Sequence, residues 1–322
     1  MSSVRVLNRL RENYYLSTVV SAVARPIDAV CRALSQRIRR TVRKNGASVR
    51  LPNGRWMRFE RNSGVSVASL IFWGGLDAYE PDTSRTLRYF FERAGAFVDI
   101  GANCGLYSIL GALWNPNLKV LAFEPVPEIH DALIRNLARN KVNEQVSSYL
   151  VALSDVTGKA SLYLPSSDGI DCEATGTLVT DGWQTRQHAP EIVVETVRFD
   201  DFAMTNPTRI DLVKIDVEDH EAAVLAGMEQ TIRRDRPFIV IEILPRPHRN
   251  AKTRQIVSSL GYTAFWITRC GYIRVSDFDF EHPSSQDFLL SPVSLPGEVI
   301  TNLEPFWRLR QEQVKRVTAT TV

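Results

Sequence analysis

Two hydrophobic periods alternate through the middle of the chain. Residues 96–100 are apolar apart from Asp99, and after a run of small residues Leu106, Ile109, Leu110 and Leu113 recur at helical spacing. The pattern predicts strand, tight turn, helix. A second apolar run, 118–123, stops at Glu124-Pro125. Pro127 then opens a helix with Ile129, Leu133, Ile134 and Leu137 on one face. Further strands are predicted at 146–153, 213–216 and 238–244, with a helix from Glu218 that buries Val224, Leu225, Met228 and Ile232. Residues 262–267, 272–275 and 287–290 read as the final strands, one of them antiparallel. Short apolar runs alternating with helical ones predict an α/β domain, its mostly parallel sheet covered by helices on both faces.

Other segments flank this core. Residues 47–51 and 55–59 bracket Pro52-Asn53-Gly54, a hairpin signal, and 1–45 carry a helical apolar pattern broken near Pro26. Strands at 159–164 and 192–199 enclose a polar stretch, 165–190, containing Trp183 and His188. A loop of that length in a compact domain is read as a lid over an acceptor site. A Pro-containing link (Pro292, Pro296) leads to a basic helix over 303–317. The predicted organisation is a helical and hairpin extension over 1–75, a catalytic domain over 76–291, and a linker with helix over 292–322.

The apolar share of 44% and charged share of 23% fit a soluble globular chain. Cys31, Cys104, Cys172 and Cys270 are widely spaced, which predicts reduced thiols in a cytoplasmic setting with neither a disulfide frame nor a zinc site. Charge is uneven. The first fifty residues hold eleven Lys and Arg against Glu12 and Asp28, in a chain of net charge +3, so the remainder is acidic. The uncharged run 14–24 is too short to span a bilayer. For this basic amphipathic segment the readings are a packing or homodimer helix pair, peripheral contact with an anionic membrane, and a nucleic-acid arm.

The chemistry concentrates at the first turn. Gly101, Asn103 and Gly105 place a helix N-terminus and small residues at the edge of the sheet, where ligands of open α/β sheets bind. The turn has no lysine and no G-x-G-x-x-G spacing, and Asp99 suits a cationic ligand better than a pyrophosphate. Glu124, ending the second strand, is placed to accept hydrogen bonds from a ribose. A nucleoside with a positive end fits both acids, and S-adenosylmethionine is such a ligand. Leu153 and Ser154, at the end of the third strand, are candidates for adenine contact. Asp216 falls at the end of the fourth strand, and with His220 and Glu242 it crowds the expected acceptor position. An acid cluster of this kind could also take a divalent cation through its oxygens. No metal-ligand spacing is read from the sequence.

The run from Phe97 to Gly105 resembles the opening motif of the FkbM-type S-adenosylmethionine-dependent methyltransferases. The block from Ile210 to Glu221, with Val224, Leu225 and Gly227 after it, resembles that family's K-x-D-x-E-G-x-E block. The resemblance implies a Rossmann-like class I methyltransferase fold with a seven-stranded sheet, and S-adenosylmethionine as cofactor. Tyr79-Glu80-Pro81 resembles the family's entry segment, which places Tyr79 and Glu80 at the cofactor. The resemblance also implies O-methylation of a sugar, glycan or natural-product hydroxyl. Asp216 is then first candidate for base or acceptor orienter, His220 second and Glu242 third. One position departs: Asp219 stands where the family usually has glycine. No Asn/Asp-Pro-Pro-aromatic motif follows the fourth strand, so nucleic-acid bases are not the expected acceptor. The competing readings are a NAD- or nucleotide-binding oxidoreductase and a cofactor-binding scaffold without turnover.

Overall fold

The structure, a computed structural model, describes residues 47–59, 65–164, 191–245, 247–269, 271–276, 278 and 286–295. The expected helices of 1–45, the lid over 165–190 and the helix over 303–317 lie outside the described residues.

The chain opens with the expected hairpin, β1 (Ala47–Arg50) and β2 (Trp56–Phe59), paired antiparallel from Ala47 opposite Phe59 to Arg50 opposite Trp56. Helix α1 (Val65–Gly74), a short 3-10 turn at Leu76–Ala78 and α2 (Pro81–Phe91) lead to β3 (Ala96–Ile100). Then come α3 (Leu106–Trp114), β4 (Lys119–Phe123), α4 (Pro127–Asn140) and β5 (Val146–Tyr149). A side sheet is formed by β6 (Ala152–Leu153), β7 (Gly158–Tyr163) and β8 (Glu191–Val197). The chain returns to the core through α5 (Phe199–Thr205), β9 (Leu212–Ile215), α6 (Glu221–Gly227), α7 (Glu229–Asp235) and β10 (Phe238–Glu242). It closes with α8 (Pro247–Ser259), β11 (Thr263–Thr268), β12 (Gly271–Val275) and β13 (Asp287–Ser291).

The central sheet runs β12-β11-β13-β10-β9-β3-β4-β5. Strands β5, β4, β3, β9 and β10 are mutually parallel. Against them β13 is antiparallel, and β12 is antiparallel to β11. Among the described residues the sheet therefore has eight strands, one more than the seven the family resemblance implies, because β12 pairs with β11 at an edge. Two strands rather than one oppose the parallel core.

Side chains alternate across the sheet, as pleating requires. Phe97, Val120, Leu212, Val240 and Leu289 face a cluster with Leu87, Phe91, Ile109 and Leu133, from α2, α3 and α4. Val98, Val213, Ile215, Ile239 and Ile241 face Val224, Leu225, Met228, Ile232 and Leu260 on the other side. Hairpin residues Ala47, Leu51, Met57 and Phe59 belong to the first of these clusters. The hairpin is also tied by paired bonds to α4. Arg58 N donates to Asn140 Oδ1 at 2.8 Å, and Asn140 Nδ2 donates to Arg58 O at 2.6 Å.

The expected third strand, 146–153, is split. Residues 146–149 pair with β4, whereas Ala152 and Leu153 pair with β8 in the side sheet. The exposed Leu150 between them breaks the alternation that a single strand would need. The helix expected from Glu218 begins at Glu221, since Glu218 and Asp219 have φ of 51° and 76°, outside helical space.

Candidate active site

The turn between β3 and α3 is built by backbone. Gly101 and Ala102 both donate to Phe123 O at 3.0 Å, which ties the turn to the end of β4. Gly101 has φ of 76°, and a Cβ added there would lie 1.9 Å from Asp216 O. Only glycine lets the β3 turn and the end of β9 approach this closely. Gly105 is the N-cap of α3. Asn103 turns its side chain inward, and its Oδ1 accepts the Cys104 N–H at 2.7 Å.

Glu124 is held from both sides. Its Oε2 accepts from Asn103 N at 2.9 Å and its Oε1 from Val126 N at 3.0 Å, in a residue 5% exposed. Burial pushes its carboxyl up to about 7 despite these amides. Each oxygen keeps a lone pair for another donor, such as a sugar hydroxyl. Asp99 is anchored differently from expectation. Ser108 Oγ donates to its Oδ2 at 2.6 Å, and the residue is 1% exposed. This bond ties the end of β3 to α3, while Asp99 still lines the cavity. Burial raises its pKa.

The opposite end of the cavity is charged. Lys214 Nζ lies 2.6 Å from Asp216 Oδ2, and the lysine side chain is 3% exposed. Glu242 hydrogen-bonds to Asp216. Burial would raise the Asp216 pKa, yet the Lys214 ammonium and these bonds hold it below the usual value. The negative Asp216 and burial push the Glu242 pKa well above its ordinary value. Glu80, at φ 39°, accepts from Tyr107 Oη at 2.6 Å through Oε2, and burial lifts it to about 7. His220 Nε2 lies 3.0 Å from Ser154 Oγ. Burial pulls the His220 pKa down, so the ring is neutral at pH 7. Glu221 Oε1 accepts the Asp219 N–H at 3.0 Å and braces the loop before α6.

One cavity gathers most of the sequence candidates. Tyr79, Glu80, Asp99, Gly101, Asn103, Glu124, Leu153, Asp216, His220 and Glu242 all line it. Gly105 and Ser154 do not; Ser154 reaches it through His220. Val67, Tyr107 and Lys214 also line it without having been singled out. Lys214 carried a signal, as a lysine inside an apolar strand of a parallel sheet. Tyr107 and Val67 carried none beyond helical spacing. Among the described residues, Asp216, Glu218 and Glu242 each place a carboxylate oxygen within 4.8 Å of the others. Oxygen donors of this kind suit a hard cation such as Mg²⁺ or Ca²⁺.

Comparison with known proteins gives the arrangement a context. A family described as the methyltransferase FkbM domain matches residues 99–273. Methyltransferase sdnD of Sordaria araneosa is 34% identical over 160 residues, covering 41% of this chain and 60% of that protein. The 31-O-demethyl-FK506 methyltransferase FkbM of Streptomyces tacrolimicus is 32% identical over 153 residues, 41% of this chain and 58% of that one. Hexuronic acid methyltransferase AglP of Haloferax volcanii is 28% identical over 165 residues, 51% of this chain and 62% of that one. The chain thus spans less than two thirds of the length of these curated relatives. The crystal structure of a methyltransferase FkbM from Methylobacillus flagellatus KT aligns over 70% of this chain and 65% of that one, at 12% identity and a TM-score of 0.42.

Proposed function

From its membership of the FkbM methyltransferase family, whose cofactor is S-adenosylmethionine, we propose that this chain methylates a hydroxyl of a sugar, glycan or natural-product acceptor. The observation that carries this reading is the single cavity in which Glu124 and the glycine turn adjoin Asp216, His220 and Glu242. Its two ends suit the two substrates. Glu124 offers free lone pairs to the ribose, Leu153 offers an apolar wall to the adenine, and the Gly101 turn lines the same cavity. When bound, S-adenosylmethionine supplies an electrophilic methyl group on a positive sulfur.

The chain's own residues then place and deprotonate the acceptor. Asp216, charged and locked, accepts a hydrogen bond from the acceptor hydroxyl and orients its oxygen. Orientation of this kind supplies on the order of several kcal/mol of barrier lowering. Held below the usual carboxylate range, Asp216 is a weak base. His220 is neutral, borders the same cavity and is oriented by Ser154, so it takes the hydroxyl proton as the oxygen–carbon bond forms. Glu242, hydrogen-bonded to Asp216, holds it in place.

Calorimetric titration with S-adenosylmethionine and S-adenosylhomocysteine tests the cofactor half. Micromolar binding is expected, lost or strongly weakened in Glu124→Ala. No binding by folded protein overturns the reading. Formation of S-adenosylhomocysteine with a panel of glucuronic acid, glucosamine and 31-O-demethyl-FK506 tests the acceptor half. Cofactor binding without turnover on any member favours a scaffold instead.

A further inference from the structure

One buried cation is given no part in the mechanism above. Lys214 sits in β9 at the centre of the sheet, on the face covered by α2 and α3, with Leu212 below it in the apolar layer. Its direct cross-strand partner on β3 is Asp99, and on β10 it is Val240. Two residues beyond Val240 lies Glu242, itself opposite Asp287 of β13. The carboxyl-terminal edge of this sheet face therefore carries acids on four adjacent strands, Asp99, Asp216, Glu242 and Asp287. Glu80 joins them from the start of α2. Among the described residues, Lys214 is the one ammonium lining the cavity. A lysine in such a layer is unfavourable unless it is paired. Here the ammonium meets Asp216 Oδ2 at 2.6 Å and lies 5.0 Å from the centroid of the Tyr107 ring. Asp99 and Asp287 already have hydroxyl partners, Ser108 and Thr83, each at 2.6 Å. Among the carboxylates around it, Lys214 makes its short ion pair with Asp216.

We propose that Lys214 is a positioning residue: its ammonium, 2.6 Å from Oδ2, fixes the Asp216 carboxylate in one orientation at the acceptor end of the cavity. The Oδ2 atom is tied to Lys214, so the remaining lone pairs of Asp216 are presented in a fixed direction to the acceptor hydroxyl. This rests on the role given to Asp216 above. Burial pulls the lysine toward its neutral form, but Asp216, Glu80, Asp99 and Asp287 together hold it above its ordinary value, so it stays charged throughout the working range. Among the described residues, six carboxyl groups border the cavity, Glu80, Asp99, Glu124, Asp216, Glu218 and Glu242, and Lys214 makes its short ion pair with Asp216.

The test uses the full chain, carbon-13 labelled at the aspartate carboxyls, with the Asp216 resonance identified by its loss in Asp216→Asn. In the wild type Asp216 should titrate below the ordinary aspartate midpoint. In Lys214→Met its midpoint should rise by roughly two pH units or more, and Lys214→Arg should restore most of the difference. Calorimetry with S-adenosylhomocysteine on each variant reports whether the cavity is intact. An unmoved Asp216 midpoint in a Lys214→Met protein that still binds S-adenosylhomocysteine overturns the proposal. If Lys214→Met does not fold, Lys214→Arg decides: an Asp216 midpoint in the ordinary carboxylate range, in protein that binds S-adenosylhomocysteine, overturns it. With whichever panel acceptor turns over, Lys214→Met should lower kcat on the order of a hundredfold with little change in KM for S-adenosylmethionine. In an Asp216→Asn background the same substitution should cost little more. If S-adenosylhomocysteine binds but no acceptor turns over, the functional reading fails, while the carboxyl titration still reads the coupling between Lys214 and Asp216.

Discussion

Glu124 shows what a single buried carboxyl can report. Two backbone amides hold it in place, burial lifts it to about 7, and its remaining lone pairs face the cavity. A ribose that donates to it favours the ionised form, so binding must release a proton whenever Glu124 is protonated beforehand. The affinity for S-adenosylhomocysteine should therefore increase as the pH rises from 6 to 8, by about tenfold, and flatten above that. Glu124→Gln should bind more weakly and with most of the slope removed; calorimetry at four pH values checks both. Asp219 is a second telling residue. The family block calls for glycine there, and the structure supplies the reason, because the residue has φ of 76°. An aspartate tolerates that region at a cost of up to ~1–2 kcal/mol. The Asp219 N–H that braces Glu221 would survive in glycine. Asp219→Gly should raise stability by about 0.5–1 kcal/mol, read as a higher urea midpoint with unchanged slope.

At the scale of elements, legibility followed the strength of the period. The turn from β3 to α3, the acid closing β4 and the strand leading to Asp216 were all readable, because each joins an unbroken apolar run to a small or charged residue. Residues 146–153 were misread as one strand, since an apolar run says nothing about which sheet its ends will join. The strain at Glu218 and Asp219 was equally hidden, because periodicity reports side chains and not φ. Lys214 was legible as an oddity but not as a partner of Asp99, since strand register is a tertiary fact. Another contact of this kind joins α6 to the loop after β6. A Cβ on Gly227 would lie 1.9 Å from Ser154 O. Gly227→Ala must push the two elements apart, and Ser154 is the residue that orients His220. The expected result is a loss of about 2–4 kcal/mol of stability together with a shift of the His220 titration, followed by urea unfolding and by histidine NMR.

For the whole molecule, the site leaves an imprint on stability as a function of pH. Glu80 and Glu124 are lifted from 4.5 to about 7 and Glu221 to about 8, burial being the first cause in each. Asp99 and Glu242 are raised as well. For an acid whose folded pKa lies above its unfolded value, the native state binds more protons through the interval between them. Its contribution to stability is fully present below the unfolded pKa and is lost as the pH climbs through the folded one. His220 and His130 act in the opposite sense, since burial lowers both and their effect on stability ends near 6.5. Above 6.5 the acids act without that opposition. The ligand-free protein should therefore lose stability steadily between pH 6.5 and 8, seen as a falling urea midpoint. Saturating S-adenosylhomocysteine should flatten the decline, because it binds best when Glu124 is charged. Glu221 braces a loop and takes no part in binding, so Glu221→Gln should remove part of the decline while leaving the pH dependence of ligand affinity intact. A stability that rises across the same interval would mean that these carboxyls are ionised in the folded chain, and that water reaches the sheet edge far more freely than its packing allows.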